Sequence, residues 1–180
     1  VEAPPGAPGA DGPIRVVRSA GPRDPARAER DRRSNYGFHR LERLDGNVGY
    51  LEMREIASIG MMNGSGGAGA TGARDTAAGA MAFLASSDAI VIDLRQCPGG
   101  SADTVSFLAS YFFGPERREL FTRYDRPMDE TRVEYTVEDL PGRRLPDTDL
   151  WILVGPGTAS AGESLAYLLQ QFGRATVVGE

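Results

Sequence analysis

Lysine is absent from this chain: all 20 of its basic residues are arginine. A serine–lysine dyad is therefore impossible within these 180 residues. The glycine-rich stretch Gly64-Ser65-Gly66-Gly67-Ala68-Gly69 is likewise no phosphate cradle, because no lysine follows it. Histidine is nearly as scarce, His39 being the only one, and no cofactor or metal pattern is present. The one cysteine, Cys97, cannot form an internal disulfide and so leaves the compartment undecided. No apolar run approaches membrane-spanning length. A net charge of −5, with no basic patch interleaved with aromatics, argues against nucleic acid as a partner.

What the chain does have is a serine in an unusual setting. Ser160 lies in Gly157-Thr158-Ala159-Ser160-Ala161-Gly162-Glu163, after the apolar run 150–154 and before the apolar-periodic stretch 165–172. That places it at a strand-to-helix turn among residues too small to obstruct an approaching carbonyl. A helix N-terminus offers free N–H groups to a developing oxyanion. The same pattern also reads as a simple helix cap, with Glu163 three residues on completing a capping box.

A second segment bears on that choice. Asp93-Leu94-Arg95-Gln96-Cys97-Pro98-Gly99-Gly100 ends the run 89–92, four apolar residues that read as a buried strand. Gly99 and Gly100 permit close backbone approach and unusual dihedrals. Their N–H groups can supply half of an oxyanion hole, with the N–H of Ala161 as the other half; alternatively they form a structural turn before the next helix. Two strand ends of this kind are expected side by side at the carboxyl edge of a parallel sheet, where α/β proteins bind ligands.

Strands and helices are expected to alternate, an α/β pattern. Strands are read at 48–53, 89–94 and 150–154, with 175–178 closing the chain. Extended segments at 120–124 and 131–137 flank an Asp125-Arg126-Pro127 turn. Helices are read at 73–85, 102–113 and 161–172, with 60–72 a flexible loop. Residues 1–34, rich in proline, glycine and arginine, read as a largely irregular leader in which only 14–17 has β character. Residues 35–180 form the α/β domain. The abrupt start at Val1 and stop at Glu180 suggest a domain truncated at its C-terminal end.

These segments together resemble the carboxyl-terminal processing (tail-specific) serine peptidase family, in its tricorn-core and interphotoreceptor retinoid-binding protein-like branch. The resembling pieces are Asn35-Tyr36-Gly37-Phe38, residues 46–51, 88–100, 110–113 and 158–167, and Arg174-Ala175-Thr176-Val177-Val178-Gly179-Glu180. They occur in the family's order and cover most of 35–180. The resemblance implies a crotonase-like (Clp protease/crotonase) β-β-α superhelix and peptide-bond hydrolysis through an acyl-enzyme. It makes Ser160 the nucleophile and Gly99, Gly100 and Ala161 the oxyanion hole. It implies a peptide or unfolded protein as substrate, permits an oligomer, and favours a periplasmic or secreted setting over a cytoplasmic one.

The resemblance also implies a histidine base upstream in that branch, in a segment matched here by Asp11-Gly12-Pro13. Pro13 stands where the histidine belongs, and proline neither accepts nor relays a proton. His39 is the remaining candidate base, although a lone histidine there reads more readily as a solvent-facing residue on an entry strand. The acidic third partner is expected after Glu180. Cys97 stands where relatives more often carry asparagine, and reads as a buried structural thiol. Three alternatives follow: a serine peptidase domain, a non-catalytic relative that binds an apolar ligand or peptide in the same pocket, and a crotonase-type acyl-thioester enzyme.

Overall fold

The computed structural model describes residues 25–60 and 68–180. Its centre is a five-stranded sheet in the order β1-β2-β3-β6-β7. The strands are β1 (Phe38–Leu44), β2 (Val48–Met53), β3 (Ala89–Asp93), β6 (Asp149–Val154) and β7 (Thr176–Gly179). β1 pairs antiparallel with β2 through a tight turn at Gly46 and Asn47, both with positive φ. The other four strands run parallel. β4 (Glu119–Asp125) and β5 (Glu130–Tyr135) form a separate antiparallel hairpin.

Burial follows the period of two that a pleated strand imposes. In β2, Gly49, Leu51 and Met53 face inward and Val48, Tyr50 and Glu52 outward. Leu51, Ile90, Ile92, Leu150 and Ile152 form one inner face, all at most 3% exposed. The helices α2 (Ala68–Leu84), α3 (Ala102–Ser110) and α4 (Ala161–Gln171) contribute to the same core. α2 offers Ala77, Ala80, Met81 and Leu84, and α4 offers Leu165, Leu168 and Leu169, at helical spacing. The mixed α/β class expected from sequence is the one observed, and β3 and β6 are parallel neighbours.

Four boundaries differ from expectation. The leader, read as irregular to residue 34, ends in helix α1 (Pro25–Arg33). Proline suits a first helical turn, and Glu29 pairs with Arg32 and Arg33 at helical spacing. α2 begins at Ala68, inside the stretch read as loop, because Gly72 lets the helix close on the Tyr36 ring. A Cβ there would lie 2.1 Å from the Tyr36 hydroxyl. α3 stops at Ser110, after which Tyr111, Phe112 and Phe113 turn into the core. β1 is a further strand, carrying His39 on its exposed side. Residues 11–13 and 14–17, matched above to the family's histidine segment and to a β patch, lie outside the described residues.

Candidate active site

Ser160 is the N-cap of α4, at the end of the six-residue loop that leaves β6. With Glu163 it forms the expected capping box, in which the Ser160 N–H donates to Glu163 Oε2 at 2.6 Å. Its backbone, however, has φ 51° and ψ −116°. A serine that only caps a helix adopts β-region dihedrals, so capping does not account for this conformation. A non-glycine residue held there carries strain of about 1–3 kcal/mol, and such strain concentrates at functional sites. A serine on a sharp, strained strand-to-helix turn is also the arrangement that exposes a nucleophile's hydroxyl. The residue is exposed.

The glycine pair lies against this turn. Gly99 has φ +106°, and a Cβ on it would sit 2.6 Å from Ala159 O, 2.8 Å from Ala161 N and 2.8 Å from Ser160 Cβ. Gly100 has φ +148°, and a Cβ would approach Ile56 O to 2.0 Å. Only glycine allows both approaches. The segment after β2 fastens the far side: Ile56 N–H donates to Gly99 O at 2.9 Å, and Ser101 N–H to Ile56 O at 2.8 Å. Among the described residues, neither the Gly100 N–H nor the Ala161 N–H donates to a protein acceptor. Ser160, Ala161 and Gly99 are thus brought together, with Gly100 the next residue along the turn.

Cys97 is fully buried behind the glycine pair. Burial pushes its thiol pKa up, and the Gly99 N–H beside the sulfur acts in the opposite sense. An inert buried thiol results. His39 is not brought to this site. It stands on edge strand β1, separated from β6 by three strand spacings of about 4.8 Å each. Glu163 gives its carboxylate to the Ser160 N–H. Among the described residues no three His, Cys, Asp or Glu side chains group to hold a metal ion. No described helix is long and apolar enough to cross a membrane.

Two further groups of residues support the turns. Asp93, 4% exposed at the end of β3, accepts the Tyr50 hydroxyl at 2.7 Å and the Arg95 N–H at 3.0 Å. The Arg95 guanidinium adds a 2.6 Å contact through Nη2. Burial by itself would raise the Asp93 carboxyl pKa; these donors outweigh it and hold the pKa down at about 2. Burial, then the Asp93 carboxylate, pushes Tyr50 up to about 12. Thr158 is the second: its hydroxyl donates to Leu94 O at 2.8 Å and accepts the Gly155 N–H at 3.0 Å. Sequence reasoning passed over both, because their partners are distant in the chain. The available signal was position alone, Asp93 closing a buried strand and Thr158 preceding Ser160 by two residues.

A parallel-sheet protein with a strained serine set against a glycine pair belongs to the class of α/β proteins whose site is built from strand-end turns. More particularly, the sequence profile of peptidase family S41 matches residues 47–180, and the chain belongs to that family. Its fold is similar to a protein of Bacteroides fragilis NCTC 9343 bearing the name S41 protease. The TM-score is 0.63 at 23% identity, over 79% of this chain and 38% of that one. It is also similar to a photosystem II D1 C-terminal processing protease (TM-score 0.53, 22% identity, 76% of this chain and 32% of that one). A lipoprotein from Streptococcus agalactiae shares the fold at a TM-score of 0.53 and 14% identity, over 83% and 52% of the two chains. The chain spans between about a third and a half of the length of these structures.

Proposed function

We propose that this chain carries the nucleophile and oxyanion hole of a serine peptidase of the crotonase-like β-β-α superhelix, acting on peptide or unfolded protein. Ser160 Oγ attacks the scissile carbonyl carbon, and the carbonyl oxygen becomes an oxyanion held by the N–H groups of Gly100 and Ala161. The α4 N-terminus adds its dipole to that charge. Gly99 serves by close approach, its own N–H lying beside the Cys97 sulfur. Collapse of that intermediate breaks the C–N bond and expels the amine with a proton, and water then hydrolyses the Ser160 ester, freeing the carboxylic acid and restoring the hydroxyl. The observation that carries this reading is the left-handed, strained backbone of Ser160 seated against Gly99.

Removal of the Ser160 proton requires a base, and among the described residues no side chain accepts a hydrogen bond from the Ser160 hydroxyl. This favours a second reading, a non-catalytic relative whose pocket binds a peptide or apolar ligand. A fluorophosphonate probe decides between them. An oxyanion hole without its base retains a residual acceleration of about 10³–10⁴ over water. Slow phosphonylation is therefore expected, mapped by mass spectrometry to Ser160 and absent from Ser160→Ala. No adduct at Ser160 would leave the binding reading in place.

A further inference from the structure

The two turns that supply the proposed hole come from different strands, so its geometry depends on how they are held to each other. They meet backbone to backbone. A Cβ on Gly157 would lie 2.6 Å from Arg95 O, and Ala159 N–H donates to Cys97 O at 3.0 Å. Among the described residues, one side-chain hydrogen bond joins them, from Thr158 Oγ1 to Leu94 O. Leu94 O also accepts the Cys97 N–H at 2.9 Å, within the turn that presents Gly99 and Gly100. The Thr158 hydroxyl meanwhile accepts the Gly155 N–H, and Thr158 N–H donates to Gly155 O at 2.9 Å. The same residue thus closes the loop after β6 and fastens that loop to the facing turn.

We propose that Thr158 is a positioning residue: its bond to Leu94 O fixes the separation of the Gly100 and Ala161 N–H groups and so sets the reactivity of the side chain at position 160. The inference rests on the reading of Ser160 as nucleophile. A displacement of about 1 Å at such a site costs on the order of 10²-fold in rate. A hydroxyl that both donates and accepts across the junction is suited to prevent that displacement. Valine has the same shape and neither capacity.

The test uses a thiol, whose ionisation reports nearby N–H dipoles without a base. Ser160→Cys is made alone and combined with Thr158→Val or Thr158→Ser. Alkylation by iodoacetamide is followed across pH, with the unmutated chain giving the background from buried Cys97. The charged groups on the elements that meet here are Glu163 on α4, bonded to the residue-160 N–H, Arg95 on the facing turn, against Gly155 and Gly157, and Glu55 on the segment after β2, which acts on Cys97. They are common to all variants, so the comparison isolates the latch. The thiol pKa is expected to rise by about one unit in the Thr158→Val protein, a roughly tenfold loss of thiolate near neutral pH. Thr158→Ser is expected to restore it. Thr158→Ala serves if the valine variant does not fold. A lowered unfolding midpoint with an unchanged thiol pKa would make Thr158 merely structural and overturn the inference. That result is separate from phosphonylation of Ser160, whose failure alone would overturn the peptidase reading.

Discussion

Asp93 holds a charge that water scarcely reaches, and its partners determine what that does to stability. The carboxylate receives the Arg95 guanidinium, the Arg95 N–H and the Tyr50 hydroxyl, which hold its pKa at about 2 against an ordinary 3.8. A carboxyl whose pKa is depressed by folding stabilises the native state above its unfolded pKa. That contribution is lost as pH falls through the folded value. The loss is therefore expected between pH 3.8 and about 2. Asp93→Asn should lower stability at neutral pH by about 2 kcal/mol and flatten the acid limb of the stability profile. Urea midpoints from pH 7 to 2 for both proteins check this. An unaltered acid limb in Asp93→Asn would assign the pH dependence to other carboxylates. Ser160 presents a different problem at the same scale. Its cap role was legible in the Ser-x-x-Glu spacing, but its φ of 51° was not, because no local pattern encodes a strained dihedral.

Among the elements, those buried on the sheet's inner face were the readable ones. The runs at 89–92 and 150–154 became β3 and β6 within one residue. Beyond an entry strand at His39, β1 has no legible bounds, since His39, Arg40, Glu42 and Arg43 leave it without clean alternation. Its edge position exposes both faces and removes the pressure for one. α1 was hidden because a short helix held by Glu29–Arg32 and Glu29–Arg33 pairs has the composition of an irregular arginine-rich segment. The glycine pair was legible as a turn; its reason lies in contacts that the chain makes with Ile56 and Ala159, far away in sequence. Gly100→Ala tests that reason. A Cβ there meets Ile56 O, which is backbone and cannot swing aside, and φ +148° is unfavourable for alanine. The Ile56–Gly100 bridge should break, with a stability loss of at least about 2 kcal/mol. Hydrogen exchange at Ser101, whose N–H bonds Ile56 O, should accelerate. Continued protection at Ser101 would contradict the assignment.

For the molecule as a whole, the decisive question is whether these 180 residues complete a serine centre. Composition removes lysine, and the sheet order keeps His39 three strands from the one that leads to Ser160. The resemblance implies a histidine where the sequence has Pro13, a position outside the described residues. Serine centres stripped of their base lose several orders of magnitude, about 10⁴ or more, while the oxyanion hole preserves a remnant. The purified chain is therefore expected to hydrolyse an unstructured peptide at that remnant level, with Ser160→Ala lower still and His39→Ala indistinguishable from the parent. Robust hydrolysis abolished by both substitutions would make His39 the general base and require the sheet edge to fold over the site. Robust hydrolysis sensitive to Ser160→Ala alone would place the base elsewhere. The separation of His39 from β6, set by a strand order in which β2 and β3 lie between them, is what makes the first of those outcomes the harder one to reach.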